Sequence, residues 1–118
     1  MMNGYLNHKN YEDYYYKGFP LDVEAKDDGY MVVCELPGVV KEDIHVSFLD
    51  GVLTIEAKKA KYKDHNKYLI HERSFMNMKR EINFGEIDEE SINAKYNDGL
   101  LIIDLKTKAL KPKTIEIQ

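Results

Sequence analysis

The residues with chemistry to offer are few and scattered. Cys34 is the only thiol, and His8, His45, His65 and His71 are the only imidazoles. A thiolate beside an imidazole would make a nucleophile, and a cluster of such groups would hold zinc. The histidines are scattered along the chain, and no second cysteine is present to complete a zinc-ligand set with Cys34. No nucleophile motif accompanies Cys34, although the sequence leaves a Cys-His pairing across the fold open. Cys34 lies in phase with Tyr30, Val32 and Leu36, which reads as a small buried apolar residue. His45 alternates with Ile44 and Val46 and reads as facing solvent. The run Glu86-Ile87-Asp88-Glu89-Glu90 is rich in carboxylates but lacks the ligand spacing and the glycine of a calcium loop. It reads as one solvated helical turn. Glycines sit singly at turns, so no loop cradles a phosphate. The expectation is a chain with no catalytic, metal-binding or cofactor-binding residues, acting by binding.

The elements that place these residues are strands. Ala94 to Leu105 turns at Asn97-Asp98-Gly99 and runs into an apolar strand. Asp-Gly is a strong turn signal because glycine accepts the positive φ of tight turns. Leu101, Ile103 and Leu105 share one face of that strand, while Leu100 and Ile102 make the other face apolar as well. Such a strand is expected between two layers or beside a partner. Leu21, Val23 and Ala25 alternate with Asp22, Glu24 and Lys26, and Asp27-Asp28-Gly29 turns the chain into Tyr30–Leu36. Pro37-Gly38 ends that strand. Ile44, Val46 and Phe48 mark the next one, Asp50-Gly51 turns again, and Val52–Ala57 follows. Lys58 to Lys67 is a lysine-rich loop, with the apolar burst Tyr68-Leu69-Ile70 just after it. Met78, Arg80, Ile82 and Phe84 are in phase on a further strand, and Ser91–Tyr96 alternates. About eight short strands without a helix of useful length predict an all-β antiparallel sandwich. A true immunoglobulin domain would usually show a buried Trp and a Cys pair, and this chain has no Trp and one Cys.

The 118 residues predict one domain with a real core. The net charge of -4 advertises no basic surface for nucleic acid. A single cysteine excludes an internal disulfide and points to a reducing compartment. No stretch approaches the ~20 apolar residues of a membrane helix, and the N-terminus lacks the apolar core of a secretory signal. The expected location is cytoplasmic, with no membrane partner. Residues 1–18 read as a polar arm carrying Tyr5, Tyr11, Tyr14, Tyr15 and Tyr16. The arm is either a plain mobile tail or a sticky segment, since tyrosine offers apolar area with a polar end. Residues 19–107 read as the sandwich and 108–118 as a short extension.

Several motifs together resemble the small heat-shock proteins, the alpha-crystallin family. They are Glu35-Leu36-Pro37-Gly38-Val39, the two Asp-Gly units each followed by an apolar strand, Glu72 to Phe75, and Ala94 to Leu101 with Leu100 where the family signature has Val. The resemblance covers Phe19 to Lys106 and the terminal Ile115-Glu116-Ile117. It implies an alpha-crystallin-type sandwich, immunoglobulin-like in its layers. It implies an ATP-independent holdase that binds unfolding proteins under stress and prevents their aggregation.

The resemblance further implies a homodimer formed by strand exchange. Tyr68, Leu69 and Ile70 would pair with the partner's first strand around Leu21 and Val23, and Arg80 would lie at that interface. The plainer alternative is that this burst folds back on its own sandwich. Arg80 alternates with Met78 and Ile82, and an arginine on such a face calls for a carboxylate partner. Ile115 and Ile117 would anchor dimers into a larger homo-oligomer through a groove formed by Ile44, Val46, Phe48, Ile92 and Ala94, unless the tail frays or folds onto its own domain. The arm's tyrosines are the client-contact candidates. Compared with the family, the arm is short, which tempers the expected assembly size, and Gly85 replaces a usual proline. The alternative function is a CS-domain-like co-chaperone or binding module with a dedicated partner. Those relatives lack the exchanged-strand loop and the terminal Ile-x-Ile. A hydrolase or redox role for Cys34 is the remaining rival.

Overall fold

Both Asp-Gly pairs adopt positive φ at both residues, 51° and 83° at Asp50-Gly51 and 54° and 79° at Asp98-Gly99. This is the backbone of the tight hairpin whose twist matches that of its strands. The protein, described here by a computed structural model, is defined over residues 18–59, 67–73, 77–108 and 115–118. Seven strands form among the described residues. They are β1 (Leu21–Lys26), β2 (Gly29–Glu35), β3 (Ile44–Leu49), β4 (Val52–Ala57), β5 (Met78–Asn83), β6 (Ile87–Asn97) and β7 (Leu100–Thr107). A 3-10 turn at Lys41–Asp43 precedes β3.

The strands make two antiparallel sheets, one ordered β1-β2-β7-β6 and the other β3-β4-β5. Their inner faces alternate as the apolar pattern requires. Val32 and Cys34 of β2, Leu53 and Ile55 of β4, Ile82 of β5, and Leu101, Ile103 and Leu105 of β7 fill the core. The fold is therefore the all-β sandwich that the alternation predicts. β7 is central in its own sheet, between β2 and β6, and not between two layers. Its second apolar face points outward: Leu100 is 38% exposed, and Ile102 is half-buried opposite Val33 of β2.

The carboxylate-rich run at Glu86–Glu90 is not a helical turn. It leads into β6, which starts at Ile87. Ile87 is buried in the core and pairs with Thr107 of β7. β6 then slips register between Asp88 and Asn93. Ser91 holds the slip: its Oγ donates to the Asp88 carbonyl at 2.6 Å and accepts the Lys106 N–H at 3.0 Å. Neither the core slot for Ile87 nor the partner strand is local in sequence, and together they outweigh local preference.

Gly29 is needed for a reason other than turning. A Cβ at this position would lie 2.0 Å from the Leu105 carbonyl oxygen and 2.8 Å from the Lys106 Cα. β7 backbone occupies the place where a side chain would stand. Gly29→Ala is expected to lower stability by roughly 1–3 kcal/mol, because the β2–β7 ladder must part to admit the methyl. Urea unfolding checks this, and a midpoint equal to that of the unchanged protein would contradict it.

Candidate binding surfaces

Strand alternation brings part of the expected groove together. Ile44 and Val46 of β3 and Ala94 of β6 line one cleft of about 230 Å3, joined by Tyr96 and Leu101. The cleft lies between the open edges of the two sheets, since β3 ends one sheet and β6 the other. Lys41 and Lys95 also line it. Phe48 and Ile92 are not among its walls. Ile92 packs against the core. Phe48 lines a second cleft of about 330 Å3 farther along the same two edges, with Ile87, Asp50, Glu86, Glu89 and Lys108. The register slip in β6 separates the two clefts, and alternation alone could not locate it.

Tyr96 escaped the sequence reading. Its hydroxyl lies 2.6 Å from the Leu36 carbonyl oxygen and 2.7 Å from that of Val39. One proton serves two acceptors, so both ends of the Leu36-Pro37-Gly38-Val39 turn are tied to the cleft wall. The Leu36 N–H donates to the Gly99 carbonyl at 2.7 Å, which fixes this turn to the β6–β7 hairpin.

The residues assigned to a dimer interface sit at another side. β1 is the other edge of the four-stranded sheet, with Leu21 and Val23 half-buried and Asp22 and Glu24 exposed. In the long connection from β4 to β5, Tyr68, Leu69 and Ile70 are not in a strand. Leu69 is fully exposed and Ile70 is 77% exposed. The Tyr68 ring touches that of His71, with centroids 4.7 Å apart. Arg80 lies on the inward face of β5, 8% exposed. Its Nη1 donates to the Phe19 carbonyl oxygen at 2.6 Å, and its guanidinium carbon lies 5.9 Å from the centre of the Phe19 ring. A backbone carbonyl and an aromatic face thus help to hold the buried charge.

At the extension, Ile115 is 78% exposed and Ile117 94%. The arm tyrosines Tyr5, Tyr11, Tyr14, Tyr15 and Tyr16 lie outside the described residues.

Cys34 is fully buried, and its burial pushes the thiol up from an ordinary 9.0 to about 12, only partly opposed by the Arg80 charge. A thiol held protonated in the core is a poor nucleophile at neutral pH. His45 and His71 are exposed. Because the folded value is raised, the unfolded chain releases this proton first, so Cys34 lowers stability as pH rises from about 9 towards 12. A disulfide reagent at pH 8 is expected to label Cys34 no faster than the chain unfolds. Rapid stoichiometric labelling of the folded protein would contradict the burial.

Comparisons with known proteins support the fold. A model of the Hsp20/alpha crystallin family matches residues 22–118. Over 88 residues the chain is 40% identical to heat shock protein HSP.16.4 of Streptococcus thermophilus, covering 71% of this chain and 62% of that protein. It is 36% identical over 95 residues to an 18 kDa heat shock protein of Clostridium acetobutylicum, covering 77% and 63%. The chain therefore spans about three-fifths of the length of these curated relatives. Among solved structures, heat shock protein 16.0 from Schizosaccharomyces pombe superposes with a TM-score of 0.70 at 31% identity, covering 86% of this chain and 98% of that one.

Proposed function

The chain belongs to the Hsp20/alpha crystallin family, and from that premise we propose that it is an ATP-independent holdase. It binds unfolding proteins under stress and keeps them from aggregating. The observation that carries this reading is the match of the Hsp20/alpha crystallin family over residues 22–118. The large apolar side chains held out in water on the well-packed sandwich are the surfaces through which copies of the chain assemble. Leu69, Ile70, Ile115 and Ile117 are all more than three-quarters exposed, while the core beneath them is closed. Exposed apolar surface of this kind marks a place for another chain. Burial of a client's apolar segment supplies the driving force, so the binding step requires no nucleotide chemistry. The bound client is withdrawn from encounters with other unfolded chains.

Assembly belongs to the same reading. Tyr68, Leu69 and Ile70 add a strand to the partner's β1, whose outer edge offers unpaired backbone groups. Arg80 stands behind that edge, bonded to Phe19 just before β1. Ile115 and Ile117 seat in the cleft of Ile44, Val46 and Ala94 on a further copy, and so link dimers. The tyrosines of the arm contact clients. A cytoplasmic location suits the reduced, buried Cys34. No helix among the described residues is long and apolar enough to cross a membrane.

The test is recovery of a client. A heat-labile enzyme is warmed alone and with the chain, without nucleotide, then fractionated by size. The expected result is soluble client co-eluting with the chain. Client pelleting as it does alone would refute the reading.

A further inference from the structure

The two clefts follow one another along the β3 and β6 edges, a trough interrupted where β6 slips register, with opposite charge at its ends. The extension has a matching order of charges. β3 and β6 are antiparallel walls: Ile44 and Val46 face Ala94 at one end, and Phe48 and Asp50 face Ile87 and Glu89 at the other. Lys41 and Lys95 line the first end. Asp50, Glu86 and Glu89 line the second against one cation, Lys108. The extension reads Lys111-Pro112-Lys113-Thr114-Ile115-Glu116-Ile117, basic first and then apolar around a carboxylate.

We propose that the trough sets the direction in which a second copy's extension lies, with Lys111 and Lys113 at the Asp50, Glu86 and Glu89 end and Ile115-Glu116-Ile117 at the Lys41 and Lys95 end. The proposal rests on the anchor reading above. Register supports it. With Ile117 level with Ile44 and Ile115 level with Val46, Lys113 falls level with Phe48 and Lys111 level with Asp50, because extended chain advances roughly 3.3 Å per residue on both sides. In the reverse direction the two lysines approach Lys41 and Lys95, and like charges oppose docking.

A second copy fits better than the chain's own tail. Lys108 already lines the acidic end. Seven extended residues from Lys108 to Ile115 cover roughly 23 Å, whereas Val46 lies only two residues from Phe48, roughly 7 Å along β3. The chain's own tail would overshoot or double back. In the structure its Ile115 and Ile117 stand in solvent.

The test measures anisotropy of a labelled peptide, residues 109–118, on the full chain carrying Ile115→Ala and Ile117→Ala so that its own anchors do not compete. Adding Glu86→Lys and Glu89→Lys to the chain is expected to weaken binding about tenfold, the effect of turning two exposed attractions into repulsions. A Lys111→Glu, Lys113→Glu peptide should lose as much on the first chain and regain it on the charge-reversed one. That rescue also shows that the altered chain is folded. Equal affinity in all four combinations overturns the proposal and leaves the anchor reading intact. Tighter binding of the unaltered peptide after Lys41→Glu and Lys95→Glu, with no effect of the Glu86 and Glu89 changes, assigns the opposite direction and also overturns it. A peptide with alanine at Ile115 and Ile117 that binds as well as the unaltered one removes the anchor reading itself.

Discussion

Replacing Leu69 and Ile70 together by Asp is expected to turn dimers into monomers while the sandwich stays folded. Leu69 is fully exposed and Ile70 nearly so within one chain, so the monomer loses little when they change. Paired with a partner's β1, the same positions pack against that edge. Two carboxylates there must be desolvated, at a cost of several kcal/mol each unless they find cations. β1 offers Asp22 and Glu24 on its exposed face, which adds repulsion. Sedimentation velocity gives the mass and circular dichroism checks the fold. A double variant that sediments as the unchanged protein would show that this burst is not the exchanged strand.

The second large effect is expected at the extension. Ile115→Ala with Ile117→Ala should reduce native assemblies to dimers. Residues two apart on an extended segment share one side, so both isoleucines reach a cleft together and Glu116 points away. Each buried isoleucine contributes roughly 1.5–3 kcal/mol, from which the ordering of the tail subtracts. One link is therefore weak, and several acting together hold an assembly. Removing both anchors removes every link at once, so the loss should be steep and visible as native mass across a dilution series. Mass unchanged from that of the parent, at concentrations where the parent exceeds a dimer, would contradict the anchor. A parent that is only a dimer moves the test to binding of the 109–118 peptide.

Much of the sandwich was legible because its signals are local. The Asp-Gly pairs announce their turns through the φ that glycine accepts, and Leu101, Ile103 and Leu105 announce their inward face by period. What escaped was set by chain brought from far away. Ile87 starts a strand because Thr107 pairs with it and a core slot waits for it, while the surrounding carboxylates point locally to a solvated turn. Gly29 reads as a turn residue, and only the fold shows β7 backbone in its side-chain space. The carbonyl bound by Arg80 lies 61 residues away, and those held by Tyr96 lie 60 and 57 away. The candidate groove was half legible. Ile44, Val46 and Ala94 meet as the alternation suggests, but Phe48 lies farther along β3 and lines the acidic end, beside the stretch of β6 that precedes its register slip between Asp88 and Asn93. The Gly85 departure has a backbone meaning too. Its φ of 77° is one that a proline could not adopt.

The holdase reading is tested most directly by light scattering from two unrelated heat-labile clients, titrated with the chain in the presence and absence of ATP. Binding without a nucleotide step predicts that scattering falls with dose for both clients and that the two nucleotide conditions superimpose. Scattering that does not change with dose, protection of one client only, or protection that appears only with ATP would contradict it.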